Sequence, residues 1–318
     1  MFDLAKQISY RQAHKLTTPI SFVNTVDAFA NDVLLQLDYL AKFRPQKTAK
    51  NAIFVGSGDS LCAAMLAEAF SDYSFRAYDP LDLASNKAIA HKKHAYFVSI
   101  SGNTISNVNA AKKIAHKTAI TKNRTGKLAK TCKNIIHLGY SDSGVLTSGS
   151  IGFLASALTC ISLVHTFRIK NAKKLFQAAA TQSKKIIPYK KIYFLGSQYT
   201  YPIAMYASAK LGEILGIDSH YERIEQFSHM GLFSARPGDT VIILERKNKH
   251  NSKLALHLKK LGLHVYHPSV LGDEISQALF YVFAVQLLSL GLARKKKIRD
   301  CYFITQKKFR AASSGMIY

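Results

Sequence analysis

The stretch Ile53-Phe-Val-Gly-Ser-Gly-Asp-Ser-Leu-Cys-Ala-Ala-Met-Leu-Ala67 decides the fold, because the chain writes a close copy of it as Tyr193-Phe-Leu-Gly-Ser-Gln-Tyr-Thr-Tyr-Pro-Ile-Ala-Met-Tyr-Ala207. With a shift of 140 residues and no gap, Phe54, Gly56, Ser57, Ala64, Met65 and Ala67 meet Phe194, Gly196, Ser197, Ala204, Met205 and Ala207. Each copy reads as a strand, a Gly-Ser turn and a helix, so the chain is expected to use one structural unit twice.

Working outward, each copy is followed by another apolar strand, Ala95–Ser99 in the first half and Thr240–Leu244 in the second, and then by a helix. Strands alternating with helices predict parallel sheets covered on both faces, a doubly wound α/β unit in each half, with ligands at the carboxyl ends of the strands. The halves differ at that end. The first carries Phe97-Val-Ser-Ile-Ser-Gly-Asn-Thr104 ahead of a helix over 105–114, a sequence suited to cradling a phosphate. Gly102 allows close backbone approach, the hydroxyls of Ser99, Ser101 and Thr104 donate, and the helix start offers free N–H groups. The second half has Leu244-Glu-Arg-Lys-Asn248 instead, without hydroxyls, and runs quickly from Leu263–Ser269 into its last helix, one strand short. One phosphate site per chain is therefore expected, in the first half.

The length of 318 residues suits two such units behind a helical preface. The expected boundaries are a helical segment over 1–47, a first domain over 48–168, a lysine-rich linker over 169–187, a second domain over 188–293 and a tail over 294–318. Residues 24–44 show helical apolar spacing, with Asn24 as the N-cap. Cys62, Cys132, Cys160 and Cys301 lie far apart and read as reduced core thiols of a cytoplasmic protein. The start Met1-Phe-Asp-Leu-Ala-Lys-Gln7 lacks the basic and apolar pattern of a leader.

Forty-four Lys and Arg against nineteen Asp and Glu give a net charge of +25, which draws anions from a distance. The lysines come as scattered pairs, without any helix-turn-helix, zinc or RNA-binding signature, so nucleic acid is not the expected partner. Residues 275–293 carry no charge and are long enough to span a membrane, but Ser276, Gln277, Gln286 and Ser289 favour a buried helix over a lipid-facing one. No His, Cys and carboxylate cluster stands at metal-ligand spacing, and no cofactor is expected.

Three further features share the second half: Tyr201-Pro202, Lys210-Leu-Gly-Glu213 and His229-Met-Gly231, with the histidine 16 residues after the glutamate. Together with Gly56-Ser-Gly-Asp-Ser60 and Ser99-Ile-Ser-Gly-Asn-Thr104, they resemble the double sugar-isomerase (SIS) domain family. That family includes the isomerase half of glutamine–fructose-6-phosphate aminotransferase, archaeal glucosamine-6-phosphate deaminases and phosphoglucose/phosphomannose isomerases. The resemblance spans residues 48–310 and implies two tandem flavodoxin-like, three-layer SIS domains.

Carried over residue by residue, the resemblance implies that Ser60, Ser99, Ser101 and Thr104 hold a sugar phosphate, with Thr147 and Ser148 near the sugar. Glu213 would move the proton between C1 and C2 through an enediol, His229 would open the ring, and Lys210 would assist. Lys307, seven residues after Asp300, matches a tail lysine that closes over the sugar. The resemblance also implies a homodimer with shared sites. Aldose–ketose isomerisation needs such a set: a carboxylate that takes and returns a carbon-bound proton, a near-neutral group for the ring oxygen, and donors for the enediolate.

The chain departs from the pattern at Gly212, where a lysine is usual beside the base, at Gln226 and His220, where acids are frequent, and at Ile100, where the aminotransferases have glutamine. Amine handling is what these changes touch. Residues 1–45 are too few for a glutaminase domain and offer no amino-terminal cysteine nucleophile, so glutamine-dependent amination is not expected. The leading expectation is interconversion of a ketose 6-phosphate and an aldose or amino-aldose 6-phosphate. Glucosamine-6-phosphate deamination and non-catalytic phosphosugar binding are the alternatives.

Overall fold

The computed structural model describes residues 24–318, and the amino-terminal stretch read above as lacking a leader lies outside them. The first described helix, α1 (Thr25–Lys42), starts where expected. Asn24 in extended backbone accepts from the Asp27 N–H at 2.8 Å, satisfying one of the orphan donors of the first turn.

Two parallel sheets follow. The first is built from β1 (Ala52–Val55), β2 (Arg76–Tyr78), β3 (His94–Val98), β4 (Lys117–Thr121) and β5 (Ile135–His137) in the order β2-β1-β3-β4-β5. The second is built from β6 (Ile192–Gly196), β7 (Ser219–Arg223), β8 (Thr240–Ile243) and β9 (His264–Tyr266) in the order β7-β6-β8-β9. All neighbours run parallel, with Phe54 opposite both Ala77 and Tyr96 and Phe194 opposite both Tyr221 and Ile242. β1, β6 and β8 are buried along their whole length, which is why they read as unbroken apolar runs. The second sheet is one strand narrower, as expected.

Helices α2 (Asp59–Phe70), α3 (Pro80–Ser85), α4 (Ile105–Lys112), α5 (Lys127–Cys132) and α6 (Ile151–Ser162) belong to the first sheet. The segment expected to be a linker holds α7 (Ala172–Ser183), which packs against the last long helix through buried Leu175, Phe176 and Ala179. Its lysines hid an apolar stripe at i, i+1 and i+4, enough to fasten the segment to the core.

Around the second sheet lie α8 (Thr200–Leu215), α9 (Ile224–His229), α10 (Lys249–Lys260) and α11 (Glu274–Lys295), followed by α12 (Tyr302–Thr305) and α13 (Lys307–Ile317). α11 passes the length and hydropathy test for a membrane span, yet 89% of its most apolar window is buried inside the protein. It packs on α1, α7 and α8. Burying side chains such as Phe280, Val282, Phe283 and Leu288, at ~1.5–3 kcal/mol each, makes α11 the axis of the largest core. That core lies between the two sheets and draws on α1, α2, α6, α7, α8 and α11. All four cysteines are buried and unpaired within it and its neighbours.

Candidate active site

The site begins with two tight turns. At Gly56 an added Cβ would stand 2.6 Å from the Ser60 carbonyl carbon, so only glycine lets β1 turn directly into α2. This brings Asp59 and Ser60 to the mouth of the sheet beside the loop 99–104. In that loop Gly102 adopts φ +65°, its N–H donates to Ser99 Oγ at 3.2 Å, and Ser99 Oγ lies 3.3 Å from Thr104 Oγ1. The Asn103 N–H donates to Ser101 Oγ at 3.3 Å, and Asn123 Nδ2 donates to the Ser101 carbonyl at 3.0 Å. Ser60 and Ser99 are buried at the carboxyl ends of β1 and β3, where the strand order reverses. Ser60 and the loop holding Ser99, Ser101 and Thr104 thus stand at the ends of neighbouring strands.

Lys210 and Glu213 reach the same place from α8, which packs on α2. Lys210 is completely buried. Its ammonium donates to Glu213 Oε2 at 2.5 Å, as the i, i+3 spacing predicts, and to Asp59 Oδ2 at 3.0 Å across 151 residues of sequence. Ser148 Oγ donates to the same Glu213 Oε2 at 2.6 Å. Glu213 therefore has one oxygen fixed by two donors, while its partly exposed side chain leaves Oε1 without a hydrogen bond among the described residues.

Burial works against the Lys210 ammonium, but the Asp59 and Glu213 carboxylates overcome it and hold the proton well above the usual lysine range. Burial pushes the Asp59 carboxyl up to about 6, with Lys210 pulling it down and Glu213 adding to the rise. The lysine stays charged between two acids of different exposure.

A polar chain supports this cluster from below. Gln36 Nε2 donates to Gln286 Oε1 at 2.7 Å, Gln286 Nε2 to the Tyr206 hydroxyl at 2.9 Å, and that hydroxyl to the Gly149 carbonyl at 2.7 Å. The Tyr206 ring lies 5.0 Å from the Lys210 ammonium and stacks on Phe153 at 3.8 Å. Gly149 has no room for a side chain, since an added Cβ would fall on the Asp59 carboxylate. The turn that carries Ser148 is thereby locked against both α2 and α8.

The remaining expected residues lie elsewhere. Thr147 Oγ1 donates to the Thr25 carbonyl at 2.8 Å, tying the turn to α1. His229 has its polar contact with Glu225, at 3.2 Å on the exposed end of α9, and not with Glu213 or Lys210. Lys307 is exposed at the start of α13, which packs against α4 next to the serine loop. Asp300 accepts from the Thr25 N–H and hydroxyl at 3.0 and 3.1 Å. Among the described residues no group of three or more His, Cys, Asp or Glu side chains stands ready to hold a metal.

Asp59 is the member of the cluster that sequence reasoning missed as a functional residue. It stood in the quoted Gly-Ser-Gly-Asp-Ser motif, where an acid in the first turn of a helix already has an explanation in the helix dipole.

With this geometry in view, comparison with known families is decisive for the second half. The family model described as "SIS domain" matches residues 185–266, from just before β6 to the end of β9. That segment is a SIS domain. Its sheet carries α8, so Lys210 and Glu213 are residues of the SIS domain itself.

The solved structures it resembles include a glucosamine-6-phosphate deaminase from Thermotoga maritima, at 17% identity and TM-score 0.66, covering 86% of this chain and 94% of that one. A tagatose-6-phosphate ketose/aldose isomerase from Escherichia coli matches at 16% identity and TM-score 0.64, covering 85% and 88%. The C-terminal domain of glucosamine-fructose-6-phosphate aminotransferase from Francisella tularensis matches at 16% identity and TM-score 0.61, covering 85% and 93%. At these identities the likeness is one of fold. No curated protein sequence matches the chain.

Proposed function

We propose that the protein is a phosphosugar isomerase that interconverts a ketose 6-phosphate and an aldose 6-phosphate by enediol proton transfer. The observation that carries this reading is Glu213, a carboxylate with one oxygen fixed by Lys210 and Ser148 and the other without a hydrogen bond among the described residues, tied through Lys210 to Asp59 at the end of β1, next to the strand that ends in the serine loop. The crevice of Ser60, Ser99, Ser101 and Thr104 takes the phosphate, helped by the start of α4. The sugar then extends toward α8. Glu213 Oε1 takes the proton from one carbon and returns it to the next, and fixing Oε2 keeps the acceptor oxygen aimed during both transfers.

Lys210 acts as a buried positive charge against which the enediolate forms, and Asp59 holds it there. His229, exposed on α9, serves ring opening in a neighbouring copy's site, so the active form is a homodimer. The reading is completed by the two-domain division at 48–168 and 188–293 and a cytoplasmic setting.

Turnover decides the matter. The purified protein is given fructose 6-phosphate, glucose 6-phosphate, mannose 6-phosphate and glucosamine 6-phosphate, and sugar products and ammonia are read together. Sugar interconversion without ammonia, reduced at least ~100-fold by Glu213→Gln, is the expected result. Ammonia from the amino sugar would make the protein a deaminase, and binding without turnover would leave only a phosphosugar-binding role.

A further inference from the structure

A second cavity lies at the corresponding place of the SIS domain. It occupies about 410 Å³ at the carboxyl ends of β6 and β8, between the loop 197–200 and the loop 245–248, with Glu274 and Gln277 of α11 closing one side. The strand order reverses there too, between β6 and β8, where open parallel sheets place their ligands.

The turn beneath it matches the one at the first crevice. An added Cβ at Gly196 would stand 2.5 Å from the Thr200 carbonyl oxygen, as at Gly56 and Ser60, and the Thr200 N–H donates to the Ser197 carbonyl at 2.8 Å. Gln198 stands where the first turn has Gly58, and it keeps the left-handed conformation at φ +47° against +56° for the glycine. Such a conformation is strained for a non-glycine residue, and strain of this kind concentrates at ligand sites.

The lining is built for an anionic, hydroxyl-rich molecule. Arg246 and Lys247 are exposed at one rim and form no ion pair among the described residues. Glu245 is half-buried opposite them, held by Asn251 Nδ2 at 3.3 Å, and burial pushes its carboxyl above the usual range. Tyr199 donates to Gln277 Oε1 at 3.1 Å. One turn further along α11, outside the cavity lining, the Tyr281 hydroxyl is fully buried without a hydrogen-bond partner among the described residues.

We infer that this cavity is a second sugar-phosphate site, with Arg246 and Lys247 taking the phosphate and Glu245 taking a sugar hydroxyl, while Gln277, held by Tyr199 and by the Gly272 carbonyl, forms the wall. The ligand class rests on the proposed function, whereas the site's place rests on the second pair of loops alone. It replaces the sequence expectation of one site per chain. The hydroxyls missing after β8 are made up by a cationic pair, which sequence reading had no reason to associate with the turn at Gly196.

Calorimetric titration with glucosamine 6-phosphate, repeated with fructose 6-phosphate, tests this on the full chain. The wild type should take two molecules per chain. The Arg246→Ala/Lys247→Ala variant, altered only at exposed positions, should lose one of them or weaken it at least tenfold. The Ser99→Ala/Ser101→Ala variant should lose the other. One molecule per chain, lost in the serine variant and kept in the Arg246/Lys247 variant, would overturn the second site and leave the first standing. One molecule with the reverse dependence would support the second site and overturn the serine crevice. No binding in any form would remove both.

Discussion

Asp32 shows how a single buried carboxylate sets the pH behaviour of the site's surroundings. It lies 5% exposed on α1, accepts from the Ser143 N–H at 2.6 Å, and has no ion-pair partner among the described residues. Burial outweighs the Ser143 hydrogen bonds and pushes its carboxyl up to about 6, with the neighbouring Asp142 adding to the rise. The folded state then holds a proton that the unfolded state, with the ordinary value of 3.8, has released. Stability contributed at this position is therefore complete below about pH 4 and lost as the pH rises through about 6. Asp32→Asn removes that titration while keeping an acceptor for Ser143. Relative to the parent, the variant should gain ~2–3 kcal/mol between about pH 4 and pH 7, read as denaturant midpoints across the range. Parallel stability profiles would show that Asp32 titrates alike in the folded and unfolded protein. At this scale the sequence was informative wherever partners were near: Lys210 and Glu213 share a helix face by spacing alone. Asp59 joins them from 151 residues away, a distance no local pattern records.

Elements were legible where hydrophobic period and turn chemistry agreed. The alternation of apolar strands with helices gave both parallel sheets and the narrower second one, and the Asn24 cap marked the start of α1. Less legible was α7, where lysines drew attention away from Leu175, Phe176 and Ala179. Composition suggested a tether, and packing against α11 made a core helix. α11 posed the opposite problem, since its apolar length fits a bilayer as well as an interior, and only the surrounding helices distinguish the two. Its end also offers a clean test of helix energetics. Gly291 is exposed, and a Cβ added there meets nothing within 4 Å. Gly291→Ala should raise the urea midpoint by an amount worth ~0.5–1 kcal/mol with unchanged denaturant slope, because alanine loses less backbone entropy in a helix. A fall in stability would mean that the end of α11 is not helical in solution.

At the scale of the whole molecule, the proposed chemistry lacks one group where it is needed. Glu213, Lys210, Ser148 and the serine crevice converge within one chain, whereas His229 sits exposed beyond β7, paired with Glu225. It is flanked by Met230 at 62% and Phe233 at 77% exposure, large apolar side chains that a second copy would cover. In the proposed homodimer this face is the one buried, and each His229 would serve the site of the other chain, giving two composite sites per dimer. Two inactive variants then complement each other. In a mixed dimer of Glu213→Gln and His229→Ala chains, one site has both residues altered and the other has both intact. Random reassociation of equal amounts makes half the dimers mixed, so activity should recover to about a quarter of the wild-type level per site. The measurement is isomerase turnover after the two variants are unfolded together and refolded, against each refolded alone. Without recovery, although mixed dimers are present by mass, His229 would act within its own chain or not at all, and the ring-opening group would have to be sought among the residues around Glu213.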